Sequence, residues 1–352
     1  MAAGDVDNDG QMEIVLASRS TTSSYDGGTI RVYDGVTHQL EWSTVESSSK
    51  FYRIAVGQLD TDPALEIVLG GEKYSDTRLW VYDGVTHVME WESAELSSGV
   101  PGALLVMNLD NDPVEEIVVG LSNSHVLVFN GVSSVIQWDS GSLDGSVRDL
   151  DIRDLDGNMV LDMAVLTDQS VYIIDLGTWT QKLHHALNET NKLAFNYGDK
   201  LVITNGDMVG AGELLISISS ESPGSQIQAW DGENLELLWQ RSLENINTKD
   251  IAAADLDGDG DEEFVIMGDI GSDWDSNHDP SLLLIGSQIF SPYWTEYQND
   301  GYWGMINGMI FADVDSDGQK ELVFGSDSLI QVNEIISSPL IIINLPIVVR
   351  SQ

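Results

Sequence analysis

Asp5-Val6-Asp7-Asn8-Asp9-Gly10-Gln11-Met12-Glu13-Ile14-Val15-Leu16 runs an acidic loop straight into an apolar, β-branched segment. Side-chain oxygens at loop positions 1, 3 and 5, a glycine at position 6 for the sharp bend and a carboxylate at position 9 form a cage for a hard cation. Such a cage, offering about six to eight oxygens, is what Ca²⁺ requires. The same pattern returns at Asp255 and at Asp313, and in altered forms between them.

Aligned on this loop, the chain contains seven copies, beginning at Asp5, Gln58, Asn108, Asp154, Asn205, Asp255 and Asp313, with spacings of 53, 50, 46, 51, 50 and 58 residues. A period near 50 suits units of four short strands, and the heptad-like spacing that helical repeats of this length need is absent. A short apolar run enters each loop (Arg53 to Gly57, Asp250 to Ala254, Met309 to Ala312) and a β-branched run leaves it (Glu66 to Leu69, Glu116 to Val119, Glu321 to Phe324). A third run ends in Asp-Gly or Asn-Gly at Asp34-Gly35, Asp83-Gly84, Asn130-Gly131 and Asp231-Gly232, a hairpin signal. A fourth closes on Trp42, Trp91, Trp138 or Trp239. Four strands, seven times, with no helical segment between them, predict an all-β chain: a seven-bladed β-propeller of four-stranded antiparallel blades, forming one domain over residues 1–352. Radial closure also protects the strand edges.

Only four residues precede the first loop, so the first copy is expected to lack an entering strand. Pro339 to Leu345 reads as the last strand of the seventh unit, and residues 346–350 as a closing strand that completes the first. The sixth unit reads as carrying an insertion, Asp269 to Asn307. It contains Asp273, Asp275, Asn277 and Asp279 at alternate positions, and an aromatic cluster of Tyr293, Trp294, Tyr297, Tyr302 and Trp303 that is a candidate ligand surface.

With 58 acidic against 15 basic residues, the formal charge of −43 argues against nucleic acid and against attraction to anionic lipid. The loops hold under half of these carboxylates, so the remainder reflects either a saline habitat or an acidic extracellular surface. The absence of cysteine removes disulfides and thiolate chemistry and leaves the redox compartment open. No apolar run reaches the roughly 18 residues of a membrane span. No basic and apolar leader opens the chain, which reads as a mature or excised part of something larger.

The pattern Asp-x-Asp-x-Asp-Gly-x-x-Glu followed by Ile/Leu-Val, repeated over nearly the whole chain, resembles the FG-GAP and VCBS repeats of integrin α-subunit-like propellers. That resemblance implies a seven-bladed propeller, three or four Ca²⁺ ions in the loops between first and second strands, and an extracellular or cell-surface binding role. Carried over by position, the complete cages are Asp5, Asp7, Asp9, Glu13; Asp255, Asp257, Asp259, Glu263; and Asp313, Asp315, Asp317, Glu321. The fourth, Asp154, Asp156, Asn158 and Asp162, has Met159 in place of glycine but keeps a full set of oxygens. The second and third start with an amide, Gln58 or Asn108, and place Pro63 or Pro113 at the bend, which weakens or removes binding. The fifth, with Asn205, Asp207, Val209 and Glu213, loses a ligand and reads as an empty turn. An EF-hand is excluded because its bidentate Glu comes at position 12 and a helix follows. The Trp-ended hairpin also resembles, in part, the repeats of PQQ-type propellers.

Strand-end tryptophans at equivalent positions point to packing between units rather than to sugar stacking. His38 and His87 share the turn Gly-Val-Thr-His, and the adjacent His184 and His185 point apart on a strand, a poor arrangement for zinc. Asn188-Glu189-Thr190 matches a glycosylation acceptor. No Gly-x-Ser-x-Gly elbow, phosphate loop or His-Glu-x-x-His occurs. The expected function is a calcium-stabilised, non-catalytic binding or adhesion module for a protein or glycan, presented by loops 17–29, 71–77 and 269–307. The alternatives are a propeller-based polysaccharide lyase or hydrolase, and a structural spacer.

Overall fold

The computed structural model describes residues 1–20, 27–45, 47–110, 112–187, 200–205, 212–219, 224–244, 246–255, 260, 262–270, 279–285, 292–297, 306–326, 330–336 and 341–345. These residues are all-β and contain no helix. Their strands form seven sheets, six of four strands and one of five, in each of which consecutive strands are neighbours.

The chain divides into two compact units, Met1–Arg148 with Asp313–Gly318, and Asp149–Ala312 with Gln319–Gln352. In the first unit, the first sheet is Ala2–Gly4, Glu13–Ser20, Gly27–Asp34 and Leu40–Ser43. The second is Lys50–Gly57, Glu66–Lys73, Asp76–Asp83 and Met89–Glu92, with Ser97–Ser98 added beside Asp76–Asp83. Ala103–Met107, Glu116–Gly120, Val126–Asn130 and Ile136–Asp139 make the third. The fourth sheet is Val147–Arg153, Asp162–Thr167, Ser170–Asp175 and Thr180–Ala186. In the second unit the fifth follows from Lys200–Thr204, Glu213–Ser219, Gly224–Asp231 and Leu237–Glu244. The sixth comprises Ile246–Ala254, Glu263–Ile270, Asp279–Ile285 and Pro292–Tyr297, and the seventh Ile306–Ala312, Glu321–Ser326, Ile330–Ile336 and Ile341–Leu345.

The cores lie between consecutive sheets. Val15, Ile30 and Val32 of the first sheet pack with Ile67, Leu69 and Trp80 of the second. Val68, between Ile67 and Leu69, instead joins Ile117, Val119 and Phe129 of the third. In the second unit Leu214 and Ile216 share a core with Ala164, Leu166 and Ile173, whereas Leu215 packs with Ile251, Phe264 and Ile266. Successive strand residues point to opposite faces, and here both faces are covered, so the strand leaving each loop reads as an unbroken apolar run.

Several expectations change. The first repeat does have an entering strand, three residues long: Ala2, Ala3 and Gly4 pair with Val15, Ile14 and Glu13. Residues 269–307 are not simply an insertion, because Asp279–Ile285 and Pro292–Tyr297 are the third and fourth strands of the sixth sheet. Trp294 sits opposite Leu284 immediately before a bulge. Trp42 opposite Val32, Trp91 opposite Val81, Trp138 opposite Val128 and Trp239 opposite Ala229 hold the same register. Trp294 is therefore the repeat tryptophan, in a hairpin that lacks the Asp-Gly signal. The expected loop 71–77 is a two-residue turn, with Tyr74 and Ser75 at φ 56° and 74° between Lys73 and Asp76. Ile341–Leu345 pairs with Ile330–Ile336 as expected, while residues 346–350 lie outside the described residues.

Candidate metal centre

In the first loop both oxygens of Asp5 accept backbone donors, Asp9 N at 3.0 Å and Gly10 N at 3.1 Å. Asp7 accepts Asp9 N at 3.1 Å. This wrapping needs left-handed backbone at positions 4 and 6, supplied by Asn8 (φ 60°) and Gly10 (φ 93°). Glu13, 1% exposed, projects back under the loop and accepts Val6 N at 2.7 Å. One carboxylate oxygen each from Asp5, Asp7 and Glu13 lies within 4.8 Å of the others. Asp9 turns aside to accept Gln11 N at 2.8 Å and Gln11 Nε2 at 3.3 Å. Burial, with Asp7, Glu41 and Asp5 nearby, raises the Glu13 pKa to about 8, although the Val6 amide opposes the shift. Three converging carboxylates, with no positive side chain among them in the described residues, form an all-oxygen donor set that suits Ca²⁺.

The seventh loop repeats this geometry: Asp313 accepts Asp317 N at 3.0 Å and Gly318 N at 3.0 Å, and Asp315 accepts Asp317 N at 3.2 Å. Ser316 and Gly318 take the left-handed positions. Glu321, which opens the second strand of the seventh sheet, is 3% exposed. In the sixth loop Asp255 accepts Gly260 N at 3.1 Å and Glu263 is 4% exposed, while Asp257 and Asp259 lie outside the described residues.

The fourth loop has the same backbone: Asp154 accepts Asn158 N at 3.1 Å and Met159 N at 2.8 Å, and Asn158 accepts Val160 N at 2.7 Å. Asp154, Asp156 and the buried Asp162 converge as in the first loop. Here, however, the Lys182 ammonium donates to Asp156 at 2.7 Å and to both oxygens of Asp162 at 3.3 and 3.2 Å. Burial alone would lower the Lys182 pKa, but its bonds to Asp156 and Asp162 outweigh this and hold it above the usual lysine value. A loop motif cannot reveal Lys182, because it comes from the fourth strand.

The second and third loops are built differently. Gln58 Nε2 donates to the carbonyls of Asp62 at 2.6 Å and Ala64 at 3.0 Å, and Asn108 Nδ2 donates to the Asp112 carbonyl. Their carboxylates still converge. Glu66, 0% exposed, meets Asp60 and Glu90 on one side and Asp62 and Asp83 on the other, and Asp110 and Asp112 meet Glu116. Glu66 accepts Leu59 N with Oε2, but its Oε1 is buried without a hydrogen-bond partner among the described residues. Burial raises the Glu66 pKa to about 7; the Leu59 amide opposes this, and Asp60, Glu90 and Asp62 add to it. In the fifth loop Asn205 N donates to Glu262 at 3.0 Å, Glu213 is 8% exposed, and Asp207 and Val209 lie outside the described residues.

The first, second and fourth loops rest on the hairpin of the next repeat, and the seventh on that of the first. A Cβ on Gly84 would overlap the carbonyl oxygens of Val6 and Leu65, and one on Gly35 those of Val314 and Met12. The turn glycines are thus fixed by close approach, not by φ, and the left-handed residue falls three positions later at His38 (φ 59°) and His87 (φ 60°).

The strand-end aromatics pack sheet to sheet. Trp42 stacks on His87 at 4.3 Å and meets Tyr82 at 6.4 Å, and Trp91 meets Phe129 edge-on at 5.6 Å. His184 stacks on Tyr172 and bonds Ser170, whereas His185 turns to Trp230. Tyr293, Trp294 and Tyr297 lie on a regular strand, and Tyr302 and Trp303 lie outside the described residues.

No protein family model matches the chain, and no curated protein does. Solved structures do. BBS1N, in its complex with ARL6DN, aligns at TM-score 0.64 and 9% identity over 92% of this chain and 88% of its own. A chain of the mitotic checkpoint complex aligns at 0.60 and 10% identity over 93% and 85%. The computationally designed Ika8 protein aligns at 0.51 and 15% over 92% and 84%. At these identities the likeness concerns the fold alone, which is β-propeller-like.

Proposed function

We propose that the chain is a calcium-stabilised, seven-bladed β-propeller of the FG-GAP/VCBS type, acting as a non-catalytic extracellular or cell-surface binding module for a protein or glycan. The observation that carries it is the convergence of Asp5 and Asp7 on the buried Glu13. Like charges at this distance repel, and a carboxylate of raised pKa is poorly ionised at neutral pH unless a cation joins it. Asp5, Asp7 and Glu13 would hold that ion, as would their counterparts at Asp313 and Asp255, and each ion would tie its hairpin loop together.

The repeat assignment is supported by the turn glycines. Gly84 lies against Val6 of the first loop, Gly131 against Leu59 of the second and Gly35 against Val314 of the seventh. The seventh loop thus relates to the first repeat as each of these loops relates to its successor.

Isothermal titration of chelator-stripped protein with Ca²⁺, with thermal melts before and after, tests the reading. At least three ions per chain and a raised melting temperature are expected, since a ligand at a hundred times its Kd adds about 2.7 kcal/mol per site. A chain that binds no Ca²⁺ and melts identically in chelator would overturn it.

A further inference from the structure

In the first three repeats the residue immediately before the strand-end tryptophan faces the loop acid of its own repeat. Glu41 stands close enough to Glu13 to raise its pKa, Glu90 joins Asp60 and Glu66, and Gln137 Nε2 donates to Glu116 at 3.4 Å. In the fourth sheet Leu183 stands in the tryptophan's register, opposite Ile173 before the bulge, so the equivalent residue is Lys182. One position on the fourth strand therefore adds a carboxylate in the first and second repeats, an amide in the third and an ammonium in the fourth.

We infer that Lys182 is the resident cation of the fourth loop, so that Asp154, Asp156 and Asp162 are closed by the chain's own ammonium and take no divalent ion. This rests on the reading of the loops at Asp5, Asp255 and Asp313 as Ca²⁺ sites. The Asp154 wrapping and the convergence on Asp162 match the first loop; what differs is the occupant. An ammonium bonded to Asp156 and to both oxygens of Asp162 supplies three of the contacts an ion would make to this acidic set. A Ca²⁺ entering the loop would have to expel it against like-charge repulsion. A hairpin fastened in this way keeps its shape at any calcium concentration, whereas the loops at Asp5, Asp255 and Asp313 would loosen when calcium falls.

The test is Ca²⁺ and Tb³⁺ stoichiometry of the whole chain and of its Lys182→Glu and Lys182→Met variants. Lys182→Glu recreates the charge pattern of Glu41 and Glu90, and Lys182→Met keeps the apolar stem without the charge. Each is expected to bind one ion more than the parent, with Kd no weaker than about 1 mM, within the range of extracellular sites. That gain supports the assignment whatever the parent's own count. An unchanged count in folded variants would overturn it, while a parent that binds nothing would fail the calcium reading separately. Should either variant fail to fold, reductive methylation of the parent decides: Lys182 should stay protected with or without saturating Ca²⁺. Labelling that appears when Ca²⁺ is added would show the ion displacing the lysine and overturn the inference.

Discussion

Gln58 Nε2 donates to the carbonyl of Asp62, the residue before Pro63, over 2.6 Å. In the first loop position 1 is an acid, and one of its oxygens accepts the amide of Gly10 at position 6. Proline has no such amide and fixes φ near −65°, so an acid at position 1 would lose its donor. An amide reverses the direction of the bond and draws on the loop carbonyls instead. Asn108 with Pro113 makes the same pair of changes. Replacing Gln58 by Ala should therefore cost about 1–3 kcal/mol in urea denaturation for three lost hydrogen bonds, two donated to carbonyls and one accepted from Asp60 N. The same loss should be seen in chelator and in Ca²⁺, since here the loop is tied by hydrogen bonds from the chain's own side chain.

Met159 is 93% exposed and holds φ 65° in the place that Gly10 and Gly318 fill elsewhere. A left-handed residue with a Cβ costs about 1–2 kcal/mol. Met159→Gly is expected to stabilise the chain by about 1 kcal/mol, read as a shifted denaturation midpoint at unchanged slope. A loss of stability would mean that the Met side chain contributes more than its exposure allows.

Gly84→Ala should destabilise by about 2–3 kcal/mol, because its Cβ would meet two backbone carbonyls that can move only with their loops. Gly10→Ala, where nothing lies near the added atom, should show only the smaller cost of a left-handed alanine, about 1 kcal/mol. Comparing the two variants by thermal melt separates close approach from φ.

Glu13 makes the metal-free protein pH-dependent. Its folded pKa of about 8 lies above the unfolded value, so between the two the folded state binds more protons. The sign follows: this contribution is full at low pH and is lost as pH rises through about 8. Burial also raises the Glu66 pKa, to about 7, and that contribution is lost over a lower range. Stability in chelator should therefore fall as pH rises from the ordinary glutamate value of 4.5 to about 8. Ca²⁺ at pH 7 should release protons on binding, visible as a dependence of titration heat on the buffer's ionisation enthalpy. A binding heat that is the same in every buffer would remove Glu13 from the ligand set.

Strand content, period and turn positions were legible because the second strands are apolar on both faces and four units carry the same Asp-Gly or Asn-Gly hairpin. Trp294 was misread as part of an insertion because its hairpin lacks Asp-Gly; its register is set by pairing with Leu284, which spacing alone does not encode. Ala2–Gly4 was missed because three residues are too few to show alternation. Loop acids were legible from their spacing, but Lys182 lies 20 residues beyond Asp162 in sequence and reaches it only through the fold. Gln58 and Asn108 read as weakened ligands; their donation to backbone carbonyls is visible only once the loop closes on them.

Leu214 and Leu215 adjoin in sequence, yet they pack into different cores. Truncating each to alanine removes contacts from separate sets of neighbours. The two losses should simply add, as they do for residues that share no partner. Leu214 and Ala164, fifty residues apart, share one core, and there a double-mutant cycle should show coupling. In this chain energetic kinship runs across the repeats, and a peptide bond between two core residues carries no information about which of them answers to the other.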